Sequence, residues 1–224
     1  MWHHSIPLTE LDEATSWKVD LFRPHSSPTY PGIKGPTVPV GDLVTERKES
    51  VDPTEAPYRD LPYLGLDAVE SGTGEIVNTI SALEQEIRSR AKAFQEGDIL
   101  YGRLRAYLNK VALIGPSLPT GSCSGEFYVL VPDRMKVLPD FLRWLLSTPQ
   151  MIEYVTHRLS GATHPRLSKE DLLTYPVILP SLELQQRAVD VIRAAEVKRR
   201  MIRKELEELP ERVEDDILQI LTSE

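Results

Sequence analysis

Two short basic segments contain the side chains of this chain that are best suited to binding nucleic acid. The first, "GRLRAYLNK", supplies Arg103, Arg105, Tyr107, Asn109 and Lys110 within eight residues. Arginine can bind guanine through two hydrogen bonds, asparagine can bind adenine in the same way, and lysine pairs with phosphate. For any one residue, the alternative of a solvated basic loop with Tyr107 packed on the core is equally supported. For the loop as a unit, nucleic-acid contact is favoured.

The second basic segment, "GATHPRLSK", supplies His164, Arg166 and Lys169 beside Ser168, which is predicted to begin a helix. Backbone N–H groups at a helix start attract phosphate, so this segment is expected to contact phosphates rather than bases. In "GSCSGEF", Ser124 and Glu126 could face a groove, with the glutamate accepting from cytosine, although a plain strand entry is favoured. Cys123 is expected to be a small core residue.

No combination of residues indicates catalysis or metal binding. The five histidines, at 3, 4, 25, 157 and 164, have no metal-ligand spacing. The chain contains no glycine-rich phosphate loop, no G-x-S-x-G and no methyltransferase-like cofactor loop. Glu46-Arg47-Lys48 matches a nuclease E-x-K, but no Pro-Asp precedes it at a fitting distance, and it is interpreted as a charged turn. The chain is therefore predicted to be non-catalytic, with no cofactor of its own.

Composition indicates a globular protein with its positive charge in the middle. The net charge is −8. Residues 1–90 carry 8 basic and 15 acidic side chains, 91–180 carry 10 and 8, and 181–224 carry 8 and 11. Because binding responds to local charge, such a protein can hold a duplex through one face, though weakly alone. The single cysteine and the lack of a long apolar run or signal pattern predict a cytoplasmic protein outside membranes.

The elements predicted around these segments indicate an α+β fold, rich in irregular β-structure. Proline and glycine make 23–62 mostly loop, with a short strand at 37–40. "LPYLGLDAVESGTGEIV" predicts two strands around a turn, and Ser81 with Glu84 predicts a helix through "ALEQEIRSRAKAF". Further strands are expected at 99–102, 110–114, "GEFYVLVPD" and "YPVIL".

Helices are predicted at several capping signals in the second half. Pro139 begins one helix, and Thr148 with Pro149 begins another, which together are predicted to form a helical pair packed on the strands. Ser168 and Asp171 form a capping pattern ahead of the strand "YPVIL", and Pro180-Ser181 precedes the last segment.

A long C-terminal helix is predicted from a heptad pattern. Steps of four and three residues meet apolar side chains at Ala188, Ile192, Ala195, Ile202, Leu206, Leu209, Val213 and Ile220, with Arg199 and Asp216 as polar interruptions. Pro210 lies inside the pattern and predicts a kink or two helices meeting there. The seam is expected to associate with a partner, and the alternative is that it folds back on its own domain.

Taken together, these segments resemble a type I restriction-modification specificity subunit, in its target-recognition half. The resemblance runs from about Thr37 to Ala188, on "VPVGDLVTERKE", "YLGLDAVESGTGEI", "FQEGDILYGRLRAYLNKVAL", "GSCSGEFYVLVP" and "FLRWLLSTPQMIEYVTHRLSGATHPRLSKEDLLTYPVILPSLELQQRAV". It implies a DNA target-recognition domain over 1–180 and a coiled-coil-like dimerisation and spacer segment over 181–224.

The resemblance also implies partners. Members of that family usually carry two recognition domains and two such helices, whereas this chain has one of each and looks like a half subunit. Two copies would read a bipartite, palindromic target and assemble with an adenine methyltransferase that holds S-adenosylmethionine, and with a translocating restriction subunit when cutting is required.

Two other functions stay open at this point. One is a DNA-binding module of another defence system, or a fragment that exchanges into a full specificity subunit. The other is a coiled-coil protein-interaction adaptor without a DNA role, which the net charge of −8 would suit. The sequence does not predict the target bases, because these depend on loop geometry and DNA shape.

Overall fold

The computed structural model describes residues 34–84, 87 and 89–222. The predictions that concern His3, His4 and His25 therefore lie outside the described residues, as does the first part of the proline-rich region. The described chain forms three small sheets, four helices and two 3-10 turns.

Eleven short strands build the three sheets. Their bounds are β1 Thr37–Pro39, β2 Val44–Glu46, β3 Ser50–Val51, β4 Pro62–Leu64, β5 Ile80–Ser81, β6 Ala91–Gln95, β7 Ile99–Gly102, β8 Val111–Leu113, β9 Thr120–Ser124, β10 Phe127–Pro132 and β11 Pro176–Ile178. The sheet orders are β1-β11, β2-β10-β7-β8 and β3-β6-β9-β4-β5. All pairs are antiparallel except β4 with β9.

The four-stranded sheet lies in the middle of the molecule because its two central strands are apolar on both faces. Side chains alternate between the faces of a strand. Tyr128 and Leu130 of β10 join the core cluster that contains the helices. Phe127 and Val129 of the same strand instead join residues of the five-stranded sheet, including Cys123. The predicted core position of Cys123 is confirmed by its complete burial.

Three helices cover the outer face of the middle sheet. They are α1 Pro139–Leu146, α2 Pro149–Thr156 and α3 Lys169–Leu173. Helix α1 starts at Pro139, and α2 starts at Pro149 behind Thr148, whose hydroxyl accepts from the Met151 N–H. Ser168 caps α3 by accepting from the Asp171 N–H. The predicted helical pair packed on the strands and the predicted caps at Thr148 and Ser168 are confirmed.

The last helix, α4, spans Leu182–Thr222. Helix α4 continues through Pro210, so the predicted alternative of two helices meeting there is wrong, while the kink stays a prediction. The side chains of Gln185 and Val189 are buried against the rest of the molecule, while every residue from 204 to 222 is exposed. Buried contacts therefore cross the predicted domain boundary at residue 181, and that boundary stays a prediction.

The predicted helix after Ser81 is wrong. The capping hydrogen bonds form, since Ser81 Oγ accepts from the Glu84 N–H and Glu84 accepts from the Ser81 N–H. They close a turn, and Ala91–Gln95 is a strand that pairs with β9 and whose first residues pair with β3. Of the two strands predicted from "LPYLGLDAVESGTGEIV", the first is β4, and the second is reduced to a bridge between Val69 and Ile76.

The predicted α+β class, with irregular β-structure, packed helices and a long C-terminal helix, is confirmed. In the part of the chain that the structure describes, every helix is too short or too polar to cross a bilayer.

Candidate nucleic-acid interface

The two predicted basic segments form one continuous surface. The Arg105 N–H donates to the Pro165 carbonyl at 2.7 Å, and the Leu167 N–H donates to the Arg103 carbonyl at 2.9 Å. The second segment also closes on itself through two hydrogen bonds between the backbones of Ser160 and Arg166. Because backbone hydrogen bonds join the two loops, their side chains are presented together to any ligand.

Glu126 binds an arginine from each loop. Its carboxylate accepts from Arg166 Nη2 at 2.7 Å and from Arg103 Nε at 3.2 Å. Hydrogen bonding from Arg166 and the nearby charge of Arg103 outweigh partial burial and lower the pKa of Glu126. The backbone N–H of Glu126 donates to Ser124 Oγ at 3.2 Å, which fixes the turn between β9 and β10. Ser124 thus has a structural role in this turn.

A second carboxylate, Glu46, continues this arrangement at the end of β2. Its oxygens lie 3.1 Å from Lys169 Nζ and 3.4 Å from Lys92 Nζ. Burial raises the pKa of Glu46, but the hydrogen bonds and charges of the two lysines together lower it by more, so that the net shift of this pKa is downward. The interpretation of Glu46-Arg47-Lys48 as a charged turn is therefore wrong. Glu46 ends a strand, and Arg47 pairs with the buried Asp98 at 2.7 Å.

An aromatic ring connects the two ion-pair groups. Lys92 Nζ lies 5.4 Å from the ring centroid of Tyr128, and the Arg103 guanidinium carbon lies 5.8 Å from it. The surface that results is called the basic row, and it consists of Lys169, Glu46, Lys92, Tyr128, Arg103, Glu126 and Arg166. Four cations and two carboxylates leave it with a charge of +2.

The hairpin between β7 and β8 ends in an exposed tip beside the basic row. A 3-10 turn, Ala106–Leu108, is bracketed by Arg105 and Asn109, which have φ values of 49° and 53°. Left-handed backbone is costly for side chains other than glycine and is found mainly where function or packing enforces it. Tyr107 is 41% exposed and Leu108 is also exposed. Arg105 is exposed too, and it forms no ion pair with a described residue.

Two residues predicted as DNA contacts have inward-facing structural roles instead. Asn109 is only 8% exposed, and its side-chain amide donates to the Ser147 carbonyl at 2.9 Å. Lys110 Nζ donates to the Leu66 carbonyl at 2.6 Å. Both side chains thus anchor the hairpin to the domain, and we do not include them in the proposed interface. His164 lies on the exposed loop beside Arg166.

Sequence reasoning missed Lys92 and Tyr128, and it noted Glu46 only as part of a charged turn. The side chains of Tyr128 and Lys92 lie on strands whose neighbours are buried, and Glu46 ends a third strand. Charged residues at strand positions are the signal that could have identified Lys92 and Glu46, whereas nothing in the sequence distinguishes Tyr128 from a core residue. Among the described residues, no three His, Cys, Asp or Glu side chains are grouped as a metal site would require.

The predicted helical seam divides into two parts. Ala188 packs against the main core, and Ile192 is half-buried at the domain. The other predicted positions are exposed: Ala195, Ile202, Leu206, Leu209, Val213 and Ile220. Leu206 is 63% exposed and Ile220 is 71% exposed. These six residues form one line along α4 and are called the apolar stripe.

Comparison with known proteins identifies a family for most of the chain. The family model described as type I restriction modification DNA specificity domain matches residues 37–211. The specificity subunit of the type I restriction enzyme EcoDI of Escherichia coli is 29% identical over 151 residues, which cover 67% of this chain and 31% of that protein. The HindI specificity subunit of Haemophilus influenzae is 29% identical over 129 residues, with 54% and 28% covered.

Solved structures give the same result at the level of the fold. The crystal structure of the HsdS subunit from Thermoanaerobacter tengcongensis has a TM-score of 0.62 and 29% identity, covering 80% of this chain and 46% of that one. A structure titled for complex assembly and conformational transition of the type I R-M system has a TM-score of 0.62 and 28% identity, covering 85% and 50%. The chain spans about half of these structures and under a third of the curated relatives.

Proposed function

Because the chain belongs to the type I restriction-modification DNA specificity family, we propose that it recognises a DNA sequence through the basic row and the hairpin tip. The observation that supports this most strongly is the joining of the two basic loops by backbone hydrogen bonds and by Glu126. A rigid surface that combines an exposed tip with flanking cations can position itself on phosphates while the tip contacts base edges.

The two parts of this surface have different roles in the proposal. Arg105 and Tyr107 project from the hairpin tip and contact the bases or the groove walls. Arg103, Arg166 and Lys169 contact phosphates. When they do so, phosphate oxygens replace part of their ion pairing with Glu126 and Glu46. Since the row carries only +2, the isolated chain binds duplex DNA weakly at physiological salt.

The chemistry in this proposal belongs to another subunit. An adenine methyltransferase, holding S-adenosylmethionine, flips and modifies a base at the site that this chain selects. A translocating restriction subunit joins the assembly when cutting is required. The chain itself is proposed to be non-catalytic, and its cytoplasmic location stays a prediction.

The apolar stripe of α4 is proposed to pair with the same stripe of a second copy. Heptad spacing of exposed apolar residues is the pattern that coiled-coil pairing requires. A two-fold pair places two recognition domains on two half-sites, so the proposed target is bipartite and palindromic.

The proposal is tested by removing cations from the interface in the assembled complex. We expect the double substitution R103A/R105A, in complex with the methyltransferase, to reduce the affinity for a DNA duplex that contains the target site at least tenfold. Each good arginine contact to a base pair contributes about 1–3 kcal/mol. The control R187A/R212A removes two exposed arginines from α4 and should leave affinity within about twofold, on the scale of a surface charge far from DNA. Binding is measured by fluorescence anisotropy at two salt concentrations.

The outcome also separates the other functions. Equal affinity and equal methylation for wild type and R103A/R105A would contradict the proposal and favour a protein-interaction adaptor. Loss of binding with no copurifying methyltransferase from the native host would instead favour a DNA-binding module of another defence system.

A further inference from the structure

The long helix α4 is attached to the recognition domain along one face. At its start, Gln185 donates to the carbonyls of Lys136 and Pro180 and accepts from the Leu138 N–H. Two turns later, Arg193 pairs with Asp140 at 2.8 Å, and Glu196 pairs with Arg143. These contacts fix the root of the helix on α1.

A third group of contacts lies further along the same face, where α4 leaves the domain. Glu75 pairs with Arg199 Nη2 and with Arg203 Nη1, both at 2.9 Å. Glu70 accepts from Arg203 Nη2 at 2.8 Å, and Arg200 Nε lies 3.6 Å from Glu75. We call Glu70, Glu75, Arg199 and Arg203 the helix clamp. Oε1 of Glu75 is buried and lies 2.9 Å from Arg199 Nη2 without a hydrogen bond, so this contact is a close pair of charges, while the guanidinium groups of Arg199 and Arg203 remain partly exposed to solvent.

The turn that carries the two glutamates is itself tightly built. The Glu70 N–H donates to the Glu75 carbonyl at 2.9 Å, and Thr73 donates to the Glu70 carboxylate. Gly74 has a φ of 68°, and a Cβ there would collide with the Val111 carbonyl of the hairpin. Only glycine therefore allows this approach to the hairpin, and the turn is a firm base for the clamp.

The same turn is bonded to the hairpin tip of the proposed DNA interface. The Gly72 N–H donates to the Asn109 carbonyl at 3.0 Å, and Asn109 ends the 3-10 turn that carries Tyr107. The hairpin tip, the turn and the helix thus form one connected structure. A rotation of α4 at the clamp would change its angle to the surface that reads DNA.

Beyond the clamp, the helix forms an exposed arm. Arg203 is the last partly buried residue of α4, and every residue from 204 to 222 is exposed. These 19 residues of helix extend roughly 28 Å at 1.5 Å per residue. A tilt of about 10° moves the end of such an arm by roughly 5 Å, which exceeds the ~3.4 Å spacing of one base pair.

We propose that the helix clamp fixes the angle between α4 and the recognition domain and thereby determines which spacer length between two half-sites is accepted. The inference rests on the proposed pairing of two copies through the apolar stripe. In such a pair, the exposed part of α4 joins each recognition domain to the other copy, and the helix clamp sets the direction in which this part of the helix leaves the domain. Weakening the clamp lets complexes accept half-sites one base pair closer or further apart.

The angle is tested first, without DNA or partner. Spin labels are placed on the full chain through S117C and D215C, at exposed positions of the domain and the arm. The native Cys123 is completely buried, which keeps the label away from its thiol, and burial also raises the pKa of that thiol to about 12. Labelled chains are diluted with unlabelled ones so that pulsed electron paramagnetic resonance reports the distance within one chain.

The expected result is one narrow distance distribution in the wild type that shifts or widens by roughly 5 Å in E70Q/E75Q, as the lever estimate requires. Raising the salt to ~1 M should widen the wild-type distribution and leave that of the variant unchanged. The control E208Q removes the Lys204 pair within the helix and should have no effect. Identical distributions for wild type and E70Q/E75Q would overturn the proposal.

The second test measures spacer choice in the methyltransferase complex. A library of the target with spacers of varied length is methylated, and the ratio of the native spacer to its one-base-pair neighbours is counted. We expect this ratio to fall at least threefold in E70Q/E75Q. It should fall less in the separate variant R199K/R203K, which keeps the positive charges, and it should be unchanged in E208Q. An unchanged ratio in E70Q/E75Q would overturn the role in spacing. Absence of any bipartite methylation in the wild type would instead contradict the proposed function. The distance measurement would still show whether the clamp fixes the angle between α4 and the recognition domain.

Discussion

Individual cations of the proposed interface differ in how firmly the fold holds them. Arg103 and Arg166 share Glu126, and Lys169 pairs with Glu46, so each must exchange a bond when phosphate arrives. Arg105 is exposed and forms no ion pair within the described chain, so its contact with DNA replaces only water. Per residue, Arg105 is expected to contribute most to binding.

Arg105 can be tested without harm to the fold because its backbone is left-handed. Glycine adopts a φ of 49° without strain, so R105G should leave the melting temperature unchanged or slightly raised. The loss of one phosphate or base contact should weaken DNA binding by the complex about tenfold and, for a phosphate contact, reduce its logarithmic salt slope by about 1. Salt titrations of the complex measure both values. A tenfold loss in R187A as well would contradict a specific role for Arg105.

Glu126 gives a pH-dependent stability. The Arg166 hydrogen bond lowers the pKa of Glu126 below the value of about 4.5 expected for the unfolded chain. A carboxyl of this kind stabilises the fold above its unfolded pKa and loses that contribution as pH falls through its folded pKa. The free energy of unfolding of wild type should therefore exceed that of E126Q by a constant amount above about pH 5.

Below about pH 4.5 the difference between wild type and E126Q should shrink, because the wild-type carboxyl becomes protonated. Urea unfolding at several pH values measures it. A difference that grows on acidification would contradict the ion-pair assignment of Glu126.

The residue types of the interface are visible in the sequence, but the direction of each side chain is not. "GRLRAYLNK" supplied both the exposed Arg105 and the buried Asn109, four residues apart. Arg105 and Asn109 both have left-handed backbones, and the chain reverses between them. The alternation of side chains along a strand therefore cannot predict which of these residues faces solvent. Tertiary contacts decide that Asn109 binds Ser147 and that Lys110 binds Leu66.

At the scale of elements, the attachment of α4 depends on a buried polar side chain. Gln185 is 0% exposed and makes three hydrogen bonds to backbone groups. Q185A leaves those groups without partners in a partly buried site, which should reduce the free energy of unfolding by about 2–3 kcal/mol. The adjacent Gln186 is exposed and bonds Asp190 within the helix, so Q186A should change it by less than about 0.5 kcal/mol. Equal effects in urea unfolding would contradict this account.

Helices with caps of their own and strands with a strongly apolar sequence, such as 99–102 and "GEFYVLVPD", were predicted correctly, whereas the prediction failed where long-range strand pairing opposes a local helix signal. Thr148 with Pro149, and Ser168 with Asp171, begin helices as predicted because the same side chains form the caps. Ser81 and Glu84 make the same local bonds, yet Ala91–Gln95 is captured as a strand by β9 and β3. Pairing on both sides of that strand outweighs helix propensity.

At the scale of the whole molecule, the apolar stripe separates from the face that holds the domain. At about 100° per residue, Leu206 lies about 60° and Val213 about 80° from Arg203 around α4. The helix can therefore stay bound to its own domain and still present the stripe to a partner. The first part of the seam, at Ala188 and Ile192, lies against its own domain, and association through the exposed part stays a prediction.

Pairing of two copies is expected to depend on that stripe. The double substitution L206E/V213E places two charges in the proposed seam and should convert a dimer to a monomer, because buried unpaired charge is costly. Leu218 is 52% exposed on another face of α4, so L218E should leave the dimer intact. Analytical ultracentrifugation distinguishes the two. A wild-type chain that is monomeric at micromolar concentration, with and without the methyltransferase, would contradict this pairing.

The most direct measurement of the central claim is an adenine-methylation profile of the native host genome, by long-read sequencing, with this gene intact and deleted. A chain that selects the site for a methyltransferase, in two copies, predicts the loss of one interrupted, palindromic methyl-adenine motif on deletion. Restoring the wild-type gene should restore the motif, and R103A/R105A should not. An identical set of methylated motifs with and without the gene would contradict the account.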